Sequence, residues 1–135
     1  MRNSLIIAIL SSVCYVTAQT PVLTVTYPDG KSVNPGDELT LEETQKQPSI
    51  HFDAEANAKY TLIFADPDAP SRSNHTLGEF RHWLVGNIPG NDIAKGDIIT
   101  AYLGPAAPPG TGFHRYTFKL YRQEGTNHYQ RLPEN

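Results

Sequence analysis

Cysteine is nearly absent from this chain. Its 135 residues contain one, Cys14, and that one falls in a stretch that reads as a leader. The mature chain is therefore expected to carry no disulfide, no thiol nucleophile and no thiolate-bound metal. Basic runs are missing too: 11 Lys and Arg stand against 14 Asp and Glu, for a formal charge of −3. A mildly acidic chain with no basic cluster argues against nucleic acid as a partner. No apolar run reaches the roughly 20 residues of a spanning helix. There is no Gly-x-Ser-x-Gly elbow and no His-x-x-x-His pair, so hydrolase chemistry and a resident metal have no sequence support. The chain is read as a non-enzyme without cofactor or metal. Internal repeats and low-complexity tracts are lacking as well.

What is present starts at the N-terminus. One positive charge at Arg2 precedes the apolar run Leu5–Leu10, apolar residues continue to Val16, and Val16-Thr17-Ala18 stands as a small-residue site before Gln19. This is the pattern of a secretory signal peptide over residues 1–18, leaving one extracellular domain, 19–135, with no transmembrane segment. A domain of that size can hold a modest core without covalent staples. Asn74-His75-Thr76 is an N-glycosylation sequon, so Asn74 is the expected acceptor.

The rest reads as short strands between Gly/Pro turns. Strands are expected at 22–27, around Leu39 and Leu41, at 49–52, 60–65, 80–86, 98–102 and 114–122. Turns fall at Pro28-Asp-Gly30, Val33-Asn-Pro-Gly36, Asn87-Ile-Pro-Gly90 and the glycine- and proline-rich 104–112. Tyr60 to Ala65 is apolar on both faces and so belongs near the middle of a sheet. From His114 onward, His114, Tyr116, Phe118 and Leu120 alternate with Arg115, Thr117, Lys119 and Tyr121, as in a half-buried strand. The fold class is mainly β, a sandwich.

Three pieces sit at strand ends and could converge. They are Asp66 and Asp68 around Pro67, His82 early in its strand, and the 108–112 loop leading to His114 and Tyr116. Two acids held on a stiff turn at a buried strand's mouth are poor stabilisers, because like charges repel, but they suit one wall of a site. Imidazoles, a tyrosine hydroxyl and the N–H groups of Gly110-Thr111-Gly112 could donate to a small anion. The carboxylates could raise the pKa of a neighbouring histidine or meet a ligand ammonium. Plainer readings stand beside these. His82 next to Trp83 is also what a packed core histidine looks like, Asp66 and Asp68 are common turn caps, and the loop is also a tight connection. His51, His75 and His128 have unremarkable contexts.

Asp66-Pro-Asp-Ala-Pro-Ser-Arg72, Phe80-Arg-His-Trp-Leu-Val85 and Pro108-Pro-Gly-Thr-Gly-Phe-His-Arg-Tyr116 resemble the phosphatidylethanolamine-binding protein family in order and spacing, over about residues 20–130. The resemblance implies a β-sandwich with few short peripheral helices and a small pocket for phosphate-bearing groups such as the phosphoethanolamine headgroup. Carried over residue by residue, that pocket is lined by Asp66, Asp68, Ala69, Pro70, His82, Pro108, Gly110, His114 and Tyr116, with a cis bond at Ala69–Pro70. It also implies an alternative role, through relatives that bind kinases or proteases: an inhibitor or signalling modulator with an extracellular protein partner. The chain departs from the family pattern at Phe80, Arg81 and Ala107. The sequence also stops before the further C-terminal helical segment that members usually carry, as a natural short form, an alternative product or a truncated gene model would, and without that segment a more open pocket and uncovered apolar surface are expected.

Overall fold

A computed structural model describes residues 23–130, so the signal peptide expected at 1–18 lies outside the described residues. Seven strands are present among the described residues: β1 (Thr24–Thr26), β2 (Ser32–Val33), β3 (Ser49–His51), β4 (Lys59–Asp66), β5 (Phe80–Pro89), β6 (Asp97–Thr100) and β7 (Thr117–Gln123). The only helical element among those residues is a single 3-10 turn, Ile93–Lys95. The strands form two antiparallel sheets, ordered β2-β1-β3 and β6-β5-β4-β7. β4 is an inner strand, as its apolar run requires.

Strand alternation builds the core. Tyr60, Leu62 and Phe64 share one face of β4 and are buried with Trp83, Val85 and Ile88 of β5. Phe52, just past β3, completes the cluster from the small sheet, its ring 4.9 Å from that of Tyr60 in an edge-on arrangement. Fully burying side chains of this size is worth about 1.5–3 kcal/mol each. Tyr116, Phe118 and Leu120 pack against the same cluster, so the expected apolar face of the last strand is correct.

Its start is not. Residues 114–116 lie outside β7, because the Arg115 N–H donates to Asp68 Oδ2 at 2.8 Å instead of to a sheet neighbour. The strand expected at Leu39 and Leu41 is a turn. Thr40 and Glu43 bond reciprocally: the Thr40 N–H donates to Glu43 Oε2 at 2.7 Å, and the Glu43 N–H donates to Thr40 Oγ1 at 3.3 Å. That capping box satisfies the backbone locally and leaves Leu41 exposed. Val33 pairs with Val25 before its turn begins. β5 does not stop at Asn87 either. It runs on to Pro89, with Asn87 at φ 51°, a conformation that Asn tolerates better than most residues.

Candidate functional site

β5 is bulged where it meets the end of β4. Phe64 pairs with Trp83 and Ala65 with Arg81, so His82 is the extra residue. An extra residue breaks the inside–outside alternation, and His82 and Trp83 are consecutive yet both buried. The bulge thus turns His82 inward, beside the two acids. His82 is buried, as the packed-core reading expects.

Asp66 ends β4, and its Oδ1 accepts the Asp68 N–H at 2.8 Å across Pro67. The first acid therefore caps the turn that presents the second. Their side chains are only 4% and 3% exposed. Each acid has its own basic partner. Asp66 Oδ2 accepts Nδ1–H of His114 at 2.7 Å. Asp68 accepts the Arg115 Nη2–H at 2.6 Å and Nε–H at 2.9 Å in a two-pronged grip, with Arg72 Nε 3.7 Å away. The Arg115 guanidinium holds the Asp68 carboxyl well below the usual carboxylate range. Repulsion between the acids is thereby relieved, and Asp68 is occupied in positioning the turn.

The histidines differ in what they offer. His82 Nδ1 lies 2.8 Å from the carbonyl oxygen of Leu103. A carbonyl only accepts, so Nδ1 carries the proton. Burial pushes the His82 pKa down, while the Leu103 carbonyl and the charge of Asp66 act the other way. In the neutral ring Nε2 is then an acceptor, whereas a donor was expected. His114 is enclosed, its side chain 1% exposed, with Nε2 at 2.9 Å from Thr111 Oγ1.

Tyr116 links the two, 5.3 Å edge-on from His82 and 6.2 Å in a stacked arrangement from His114. Burial first, then the charge of Asp66, push its phenol up to about 12, so it remains a donor at neutral pH. Phe80 covers His82 from the other side at 5.0 Å.

Ala69 is buried, the Ala69–Pro70 bond is cis, and the Ala69 carbonyl accepts the Leu77 N–H at 3.0 Å, which ties the 71–77 loop to the turn. Pro108 and Gly110 are exposed, and their loop reaches the acids through Thr111 and His114. Thr111, Arg115 and the Leu103 carbonyl were missed as partners by sequence reasoning. Arg115 and Thr111 lie inside the quoted motif, which was their only signal. The carbonyl had none. Apolar side chains stand exposed on the segments that carry the site, at Leu77 (64%), Leu103 (52%) and Phe113 (72%). Two clefts lie elsewhere, one of about 650 Å³ along Asp97–Ile99 and Asn127–Gln130, the other of about 280 Å³ between Ile50, Trp83 and Ile93.

The sequence model of the phosphatidylethanolamine-binding protein family matches residues 28–134. The chain belongs to that family. Among curated relatives, the "26 kDa secreted antigen" of Toxocara canis is 43% identical over 101 residues, which are 75% of this chain and 38% of that protein. The "Putative odorant-binding protein A5" of Drosophila melanogaster is 36% identical over 76% of this chain and 49% of its own length. The chain thus spans less than half of each. Among solved structures, a carboxypeptidase Y inhibitor in complex with its cognate proteinase is similar at a TM-score of 0.71 and 29% identity, covering 76% of this chain and 60% of that one. The phosphatidylethanolamine-binding protein of Plasmodium vivax is similar at 0.65 and 33%, over 73% and 56%.

Proposed function

We propose that this is an extracellular, non-catalytic binding protein for small phosphate-bearing molecules of the phosphoethanolamine type. The observation that carries the reading is the Asp66–His114 pair. It buries an imidazole against a carboxylate at 2.7 Å beside a glycine loop, a protonated Tyr116 and an accepting His82. In this reading His114 and Tyr116 donate to phosphate oxygens, and backbone N–H groups of 110–112 add to them. His82 Nε2 and Asp66 take the ligand ammonium or the phosphate's own proton. Asp68 holds Arg115 and so keeps the turn in place. A zwitterion answers both halves of such a pocket. Asn74 stands exposed on the Ser71–Asn74 turn and is the acceptor for a glycan, which loss of the mass increment in Asn74→Gln secreted from a eukaryotic host would reveal.

Phosphorus NMR titration of residues 19–135 with phosphoethanolamine tests the reading. Saturable binding is expected for the wild type and none for a folded His82→Ala/His114→Ala variant. Undiminished binding by that variant would sink it. The likeness to a proteinase-bound inhibitor favours one second reading, an inhibitor acting through a protein surface. That reading is marked by capture of a proteinase that survives the same two substitutions.

A further inference from the structure

The hydrogen bonds around His114 have a direction. Thr111 Oγ1 lies 2.7 Å from the carbonyl oxygen of Pro108 and 2.9 Å from His114 Nε2. A hydroxyl has one proton, and a carbonyl only accepts, so the proton of Thr111 goes to Pro108. Thr111 must therefore accept from His114 Nε2–H. On the other side of the ring, Asp66 Oδ2 accepts from Nδ1–H at 2.7 Å. Both ring nitrogens are thus taken, one by a carboxylate and one by a hydroxyl, and with its side chain 1% exposed the ring has no donor left for a ligand.

We infer that Thr111 is an internal cap, a neutral oxygen occupying the place on His114 Nε2–H that an anionic ligand oxygen takes when the 108–112 loop swings aside. The inference rests on the pocket reading above and names how that pocket selects. The loop is lightly held. Gly110 and Gly112 have φ of 82° and 76°, and a Cβ placed on either would meet nothing within 4 Å. Apart from the Thr111–His114 contact, the loop's own ties are the Thr111 hydroxyl and N–H bonds back to Pro108, at 2.7 and 3.2 Å.

Selectivity follows from the exchange. A neutral ligand oxygen replaces one neutral acceptor with another and gains nothing. A phosphate oxygen replaces it with an ionised acceptor, and hydrogen bonds to an ionised group are roughly twice as strong as neutral ones. Thr111 thereby makes the site prefer anionic acceptors over hydroxyls, carbonyls and water, and lowers apparent affinity by the fraction of time the cap is closed.

Titration with inorganic phosphate, read by phosphorus NMR, compares wild type, Thr111→Val and Thr111→Ser. Valine keeps the shape and removes the acceptor. Binding about threefold to tenfold tighter is expected, the worth of one competing hydrogen bond, and serine should bring the affinity back. Valine binding equal to or weaker than wild type, while the His82→Ala/His114→Ala variant loses binding, would leave the pocket standing and overturn the cap. Silence from both wild type and Thr111→Val would overturn both. Binding by Thr111→Val alone would support the cap most strongly.

Discussion

β5 is bulged twice, and a buried polar network grows from each bulge. At one end His82 is the extra residue. At the other, Tyr60 pairs with Ile88 and Leu62 with Val85, so Gly86 and Asn87 of β5 face the single Thr61 of β4, and Asn87 sits in that bulge. The Asn87 network is built mainly of amide groups and ends on the Asp97 carboxylate. Its Nδ2 donates to Asp97 Oδ2 at 2.7 Å and to the Asn127 carbonyl at 2.8 Å. Its Oδ1 accepts from Gln123 Nε2 at 2.8 Å and from the Asn127 N–H at 2.9 Å. Tyr129 extends the network through Thr61 at 3.0 Å and lies over Gly86, where any Cβ would collide with its ring. These bonds strap the 125–130 segment to the sheet. The His82 network is charged, reaches the surface through the exposed Arg115 and the 108–112 loop, and contains one partner that is easily replaced, Thr111. The lesson is that a bulge can serve either as a lock or as a site. The difference lies in whether a partner outside the strands is tied in by several bonds, as Asn127 is to Asn87, or by one, as Thr111 is to His114.

The largest effect should come from the lock. Asn87→Ala takes one of two acceptors from Gln123 Nε2, frees both Asn127 backbone groups from the sheet and puts alanine at positive φ, so a loss of about 3 kcal/mol is expected. Thermal unfolding reads this, and phosphate affinity in the folded protein should not change. Asp68→Ala should cost less, about 2 kcal/mol, because Arg115, 60% exposed, can turn to water. It should nonetheless weaken phosphate binding by loosening the turn. Equal losses of binding in the two variants would erase the distinction between the regions.

The smallest effect is one of pH. His82 is held neutral by burial, so its folded pKa lies below its ordinary 6.5, and between the two values the unfolded chain binds more protons. Stability from this group is full above that pH and is lost as pH falls through the folded value. Asp68, depressed by Arg115 from an ordinary 3.8, behaves in the same sense further down. Denaturation midpoints should fall as pH drops from 7 toward 5 in the wild type and fall less in His82→Phe. An equal slope in both would assign the dependence elsewhere.

The frame of the fold was legible because β4 obeys a local rule. An apolar run bounded by a proline turn needs cover on both sides, and the sheet order supplies it. Misreadings arose where side chains replaced ladder bonds. Thr40 and Glu43 closed a turn that two leucines had disguised as a strand, although the Thr-x-x-Glu spacing was there to read. Asp68 took the Arg115 N–H and delayed β7. Asn87-Ile-Pro-Gly looked like a stop, yet the Asn87 side chain let β5 continue. At the site, the residue types were legible from the motifs but their pairings were not. Whether His82 donates or accepts depends on the Leu103 carbonyl at 2.8 Å, 21 residues away in sequence, and no local pattern encodes that.

One measurement addresses both networks at once. Imidazole and side-chain amide nitrogen–proton NMR spectra, recorded during a titration with phosphoethanolamine, follow His82, His114, Asn87 and Gln123 together. The account expects His114 Nε2–H and His82 to shift saturably while the Asn87 and Gln123 amides stay still. Shifts at the amides with silent histidines would contradict it.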